Sequence, residues 1–264
     1  MLGKLLKYEL KSTGRIFLPF YIAILVLSII NKITIMVFSS VQYFQLPQAL
    51  LIFLYVAFII AAFVMTLIVT VQRFYKNLLG SEGYLMFTVP VTTTQNILAK
   101  AITAFLWILS TILVTLVSVL IVIPEYGWIN ELPRIIGQVF AEMENFGFQP
   151  AVCVTLFIAA VLLSCIAFIM EIYAAISIGQ LSNTHKLLAS FGAYMGIYMV
   201  NQALGMIAIS IVAPQIYAMP APAAIPTPTF IYSLFGFMIG EMVVMTVACF
   251  FVSRYLLGKK LNLE

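Results

Sequence analysis

The sequence predicts an all-α polytopic membrane protein with six transmembrane helices, and three observations carry that prediction. Hydrophobic residues make up 64% of the chain and charged residues only 8%, where ordinary soluble domains hold roughly 25% charged residues. Six apolar stretches each reach the roughly 20 residues that a helix needs to cross a hydrocarbon core about 30 Å thick. The Lys and Arg residues between those stretches collect on alternate connections, the asymmetry of a multi-pass chain. Helices follow rather than strands because the run from Ala49 to Val71 has no charge and no alternation, whereas a barrel strand takes about 10 residues with every second one polar.

Residues 1–15 form the first element. At about 100° per residue, Lys4, Lys7, Lys11 and Arg15 share one face, and Leu2, Leu5, Leu6 and Leu10 lie opposite. That pattern suits an N-terminal amphipathic interfacial helix on the inner leaflet or, more simply, a basic flank that orients the first span. Gly14 and Pro19 are expected to break the chain there and let it turn into the bilayer. The first span covers Ile16 to Val37. Its apolar core exceeds a signal-peptide h-region, and Ser28-Ile-Ile-Asn31-Lys32 offers no small-x-small cleavage site, so the span is expected to remain in the mature chain.

The second span, Pro47 to Val71, opens on a first-turn proline. Its helix is expected to run on through Arg73-Phe-Tyr-Lys76 and stop at Gly80, a natural left-handed residue past a helix end. Ser81 to Pro90 is apolar but too short to cross. Thr92-Thr-Thr-Gln95 has capping-box spacing, so a helix is expected from about Thr93, through Lys100, into a third span from Ala101 to Ile123. The acidic connection Pro124 to Gln149 is long enough for an amphipathic helix around Pro133 to Glu144. A fourth span follows at Pro150 to Ile178, again with a leading proline, and a fifth at Leu187 to Ala213. Pro214 to Pro228 holds five prolines and is expected not to be regular helix, whether it acts as a lid, a re-entrant element or a linker. The sixth span is Phe230 to Ser253. No internal repeat divides the chain, and residues 1–264 read as one transmembrane domain.

Eleven of the thirteen Lys and Arg residues lie on one side: Lys4, Lys7, Lys11, Arg15, Arg73, Lys76, Lys100, Lys186, Arg254, Lys259 and Lys260. Lys32 and Arg134 lie on the other, with Glu125, Glu131, Glu142 and Glu144. Both termini and the segment between spans two and three are therefore expected in the cytoplasm. The net charge of +4 reads as a topology signal and a match to anionic lipid, with no nucleic-acid partner.

The inventory of chemical groups excludes several function classes. There is no Asp, and the Gly-Lys pairs at Gly3-Lys4 and Gly258-Lys259 lack the rest of a phosphate-binding loop. His185 is the one histidine, so neither a two-histidine zinc motif nor a Ser-His dyad near the membrane midplane can be built. Cys153, Cys165 and Cys249 sit in apolar spans without metal spacing. No catalytic, cofactor-binding or metal-ligating residue is assigned, and the chain is not expected to be an enzyme by itself.

What remains is polarity at membrane depth. Glu171 falls in span four, Asn201-Gln202 in span five and Glu241 in span six. Ionisable groups there are costly and face the protein interior or a wet cavity. At about 1.5 Å per residue Asn201 and Glu241 reach similar depth, so Glu241 can meet Asn201 or Gln202, either as a structural hydrogen bond or on a transport path, while Glu171 lies nearer the cytoplasm. Gly192 and Gly196, and Gly236 and Gly240, form two G-x-x-x-G seams for helix packing, within the chain or against a second copy.

The stretch Gly80-Ser-Glu82-Gly-Tyr84-Leu-Met-Phe-Thr-Val-Pro90-Val-Thr-Thr-Thr-Gln-Asn-Ile-Leu-Ala-Lys100 resembles permease subunits of the ABC-2 class of ATP-binding-cassette transporters. The shared pattern is an acidic-Gly-aromatic step, a Pro-apolar-hydroxyl turn and a helix entering the membrane with a Lys. The N-terminal arm, the six spans and the basic tail from Arg254 agree with it. The resemblance implies a multi-pass protein of the bacterial cell membrane whose segment between spans two and three docks on a separate ATP-binding-cassette ATPase. It also implies a second permease half, identical or homologous, and ATP-Mg held on the partner subunit, with no cofactor in this chain. Carried over, Glu82, Tyr84, Leu85, Met86 and Phe87 would be the ATPase-coupling contacts. Thr93 stands where family members often carry a basic residue, so no ion pair is implied there. The reading is an exporter permease; an ion-coupled carrier using Glu241 and a non-transporting immunity or assembly protein are the alternatives. Nothing in the sequence selects a substrate.

Overall fold

The structure, a computed structural model, describes residues 2–38, 45–79, 92–123, 128–182, 185–217 and 227–259. Its elements are helices: α1 Leu2–Phe38, α2 Gln45–Leu79, α3 Thr93–Val122, α4 Trp128–Asn145, α5 Pro150–Gly179, α6 Lys186–Tyr217 and α7 Pro228–Lys259. All but α4 are long and apolar enough to cross a membrane. The chain divides into two compact units, Met1–Tyr126 and Gly127–Asn262.

In the first unit α1, α2 and α3 each pack against the other two. The face that α1 buries runs through Glu9, Thr13, Phe17, Tyr21, Ile24, Ser28, Asn31 and Thr34, an i, i+3/i+4 stripe along one side of the helix. More than half of that stripe is polar, whereas Leu18, Ile22, Val26, Ile29 and Ile33 are exposed. A soluble helix partitions the other way. An apolar exterior over hydrogen-bonded polar contacts is the arrangement a hydrocarbon solvent favours, because lipid cannot satisfy a polar group and does not drive apolar surfaces together.

Those polar contacts tie the three helices at several levels. Tyr21 and Thr111 hydroxyls lie 2.8 Å apart, and Thr66 Oγ1 is 3.0 Å from Thr111 Oγ1. Tyr55 and Ser118 hydroxyls meet at 2.8 Å, and Asn31 Nδ2 donates to the Leu27 carbonyl at 3.0 Å and the Leu51 carbonyl at 3.3 Å. Between them pack Phe17, Tyr21 and Val69, joined by Met65 and Trp107, with the Phe17 and Trp107 rings stacked at 4.4 Å.

The expected break near Gly14 and Pro19 does not occur. Helix α1 runs unbroken from Leu2 to Phe38 with Pro19 inside it. The missing N–H of Pro19 costs one backbone hydrogen bond, which α1 absorbs because it is pinned to α3 on both sides of the proline. On one side Trp107 Nε1 donates to Thr13 Oγ1 at 2.7 Å, and on the other Tyr21 meets Thr111. Gly14 is not a hinge but a site against the Trp107 ring. Lys4, Lys7, Lys11 and Arg15 are exposed, and Leu2, Leu5, Leu6 and Leu10 are half-buried.

Helix α3 begins where the capping-box spacing predicts. Thr92 is its N-cap, with the Gln95 backbone N–H donating to Thr92 Oγ1 and the Thr92 N–H to Gln95 Oε1. Helix α2 ends at Leu79. Gly80 and the segment Ser81 to Pro90 lie outside the described residues.

In the second unit α5 packs against both α6 and α7, and these two pack on each other. Helix α4 covers the expected amphipathic stretch but starts earlier, at Trp128, with Pro133 inside it. It ends in a Schellman turn: Gly147 has φ 79°, the Phe148 N–H donates to the Met143 carbonyl at 2.9 Å, and the Gly147 N–H to Glu144. Pro150 opens α5 in its first turn, and Tyr232 of α7 caps this corner by accepting from the Gln149 N–H at 2.8 Å. A second expectation is corrected at Pro214, because α6 continues past it to Tyr217. A proline in the last turns of a membrane helix removes one donor and leaves the rest of the ladder intact.

Candidate functional site

The first candidate lies at the end of the first unit where α2 stops and α3 starts. Glu9 is the single acid before Glu82, and α1 turns it inward onto both neighbours. Lys100 Nζ donates to Glu9 Oε1 at 2.7 Å, with the Lys100 side chain 2% exposed and that of Glu9 10%. Arg73 Nη1 stands 3.8 Å from Glu9 Oε2, and Arg73 Nη2 donates to Ser12 Oγ. One carboxylate thus holds a basic residue from each of the helices that flank residues 80–91. One turn further along α1, Thr13 Oγ1 donates to the Glu9 carbonyl at 2.7 Å and accepts from Trp107, so the hydroxyl links the ion cluster to α3.

Sequence reasoning missed this cluster. In the sequence Lys100 and Arg73 read as topology signals, and Lys100 also as a Lys entering the membrane. Glu9 was passed over within a basic arm, although its being the lone acid among so many cations was the available signal. The expected coupling contacts Glu82, Tyr84, Leu85, Met86 and Phe87 lie outside the described residues.

The second candidate is a cavity of about 530 Å³ in the second unit, between α5, α6 and α7. Glu171, Asn201, Gln202 and Glu241, the four polar residues expected at depth, all line it. Its pairing differs from expectation: the Asn201 side chain turns to α5, where Nδ2 donates to Glu171 Oε1, and not to Glu241 on α7. Gln202 Nε2 donates to Tyr198 Oη, one turn back on α6, at 2.7 Å. Among the described residues neither Glu171 nor Glu241 has an ion-pair partner, and the Asn201 Oδ1 is buried without a donor. Ser164, Phe168, Tyr194, Met238 and Met242 complete much of the wall.

The glycine seams fall elsewhere than in close helix contacts. A Cβ added at Gly192, Gly196, Gly236 or Gly240 would meet nothing within 4 Å, whereas one at Gly179 would strike Ser190 Oγ at 1.9 Å and its backbone N at 2.6 Å. The close approach of α5 and α6 depends on a glycine outside either G-x-x-x-G. Cys153, Cys165 and Cys249 are free thiols. Among the described residues no three His, Cys, Asp or Glu side chains gather in a way that holds a metal ion.

Compared with protein-family models, with curated proteins and with solved structures, the chain matches none.

Proposed function

We propose that this chain is the membrane-spanning permease subunit of an ATP-binding-cassette exporter, with Ser81 to Pro90 as the segment that docks on a separate ATPase. The observation that carries the reading is the Glu9 cluster. A coupling segment works only if a push on it moves helices instead of fraying their ends. Here the helix before the segment is held through Arg73, and the helix after it through Lys100, to one carboxylate on α1. The Thr92 capping box stiffens the first turn beyond the segment. Burial strengthens the Glu9–Lys100 pair as a mechanical joint, since separating the two would leave a charge without its partner.

On this reading the ATPase supplies the chemistry and ATP-Mg, and this chain supplies the path. Tyr84 and Phe87 are the anchors, because aromatic side chains bury large areas for little lost rotamer freedom. The test is co-expression with an ATP-binding-cassette ATPase encoded beside this chain. The pair should co-purify, and Tyr84→Ala with Phe87→Ala should release the ATPase while leaving membrane insertion intact. A double variant that keeps its ATPase and its transport would remove the segment from the coupling role.

A further inference from the structure

The cavity of the second unit has a chemistry that the permease reading does not use. It presents two carboxylates and no cation. Glu171 and Glu241 line it, no Lys, Arg or His does, and the Asn201 Oδ1 beside them is a buried acceptor with no partner among the described residues. At membrane depth an uncompensated carboxylate is costly, and a buried acceptor left unpaired adds to that cost. Much of the remaining wall is aromatic and thioether: Phe168, Tyr194, Tyr198, Met238, Met242 and Met245. Aromatic faces attract cations, and flexible Met side chains fit apolar bodies of varied shape. The volume of about 530 Å³ falls in the range of roughly 300–1,000 Å³ that drug-sized ligands occupy.

We propose that this cavity binds a lipophilic primary ammonium compound, its head at Glu171 and Glu241 and its apolar body against Phe168 and the α7 methionines. Each property selects the ligand class. The carboxylates exclude anions. The carboxylates accept hydrogen bonds, and a primary ammonium brings the N–H donors that a quaternary one lacks. A bare divalent cation would want a shell of about six or more oxygen ligands, which the side chains here do not supply. The apolar wall rejects small, strongly hydrated cations, whose lost hydration it cannot replace. The inference does not depend on the permease reading, because binding to the isolated chain needs no ATPase.

The test uses the full chain in phosphatidylcholine nanodiscs near neutral pH, titrated calorimetrically with 4-phenylbutylammonium and with 4-phenylbutan-1-ol, which shares the apolar body without the charge. The ammonium should bind saturably and about tenfold or more tighter than the alcohol, the worth of one charge-assisted hydrogen bond. The double variant Glu171→Gln with Glu241→Gln should lose that preference. Equal affinity for the two probes, a preference that survives the double variant, or the absence of saturable binding would each overturn the proposal; equal weak uptake in particular would mark simple partition into an apolar groove. If the double variant lacks a cooperative thermal transition, Gly205→Leu decides. It keeps both carboxylates and adds a side chain into the cavity where nothing lies within 4 Å of the new Cβ. Loss of ammonium binding in that variant supports the site, and unchanged binding overturns it.

Discussion

Lys100 Nζ lies 2.7 Å from Glu9 Oε1 across 91 residues of sequence, and both side chains are withdrawn from solvent. The pair gathers the first helix onto the third at the level where the second ends. Because it is buried, its two halves are unequal in value to the same groups on a surface, where an ion pair is worth little.

Glu9→Ala should therefore be expensive. It takes the carboxylate from the Lys100 ammonium in a site that excludes water, with an expected loss of about 3 kcal/mol or more. Replacing both partners, Glu9→Gln with Lys100→Met, should cost less than the single Glu9→Ala change, since no buried ammonium is left behind and Arg73, the more exposed of the two cations, keeps its contact with Ser12. Reversible unfolding in mixed micelles of Glu9→Gln, Lys100→Met and the double variant, read as a double-mutant cycle, measures the coupling. Additive effects of the two positions would show that the pair does not hold α1 to α3.

The Trp107–Thr13 bond gives a smaller, directional effect. Trp107→Phe removes the indole donor but leaves Thr13 Oγ1 donating to the Glu9 carbonyl, so the expected cost is about 1 kcal/mol plus the lost ring contact with Phe17. Thr13→Val leaves the indole N–H without its acceptor and should cost about 1–3 kcal/mol for that unsatisfied donor. Unfolding midpoints of the two variants, compared at equal expression, check the order of the polar costs once a Phe17→Leu background corrects for stacking.

Two glycines predict opposite signs. At Gly179 a methyl group would strike the Ser190 backbone, so Gly179→Ala must push α6 from α5 and should destabilise by about 1–3 kcal/mol. At Gly14 the new Cβ would rest 3.6 Å from the Trp107 ring, an ordinary contact. Gly14→Ala should be neutral or stabilise by up to about 1 kcal/mol, because alanine favours a helix interior. Thermal stability of the two variants side by side reads the contrast, and destabilisation by Gly14→Ala would restore its role as a hinge.

Topology follows from the distribution of Lys and Arg. Single cysteines at Asn145 and Ala223, in a background without Cys153, Cys165 and Cys249, should react with an impermeant thiol reagent in intact cells, and one at Ser81 should not. Reaction at Ser81 alone would invert the orientation on which the coupling reading rests.

The six helices that can cross a membrane were legible in the sequence, since length and continuous apolarity are properties of a local stretch. So was the start of α3, because the Thr92–Gln95 box is complete within a single turn. The candidate cavity was legible only in its membership. Glu171, Asn201, Gln202 and Glu241 stand out as polar groups in apolar runs, but counting rise along each helix paired Asn201 with Glu241, while the packing of α5 against α6 brings it to Glu171. Depth along an axis says nothing of how a helix is rotated or shifted against its neighbour.

The same distinction runs through the whole chain. Sequence alone determined the solvent, the number of long apolar helices and the capped entry to α3, because each depends on residues within a few turns of one another. Tertiary structure decided what those helices do with their polar groups. Pro19 lies in an unbroken helix because Thr13 and Tyr21 are pinned to α3 on either side of it. Gly179, outside either G-x-x-x-G, is the glycine that must stay small because Ser190 lies against it. Glu9, one acid in a basic arm, became the joint of three helices. Each outcome rests on partners distant in sequence, and the energy of a buried hydrogen bond or ion pair exists only once packing has removed the competing solvent.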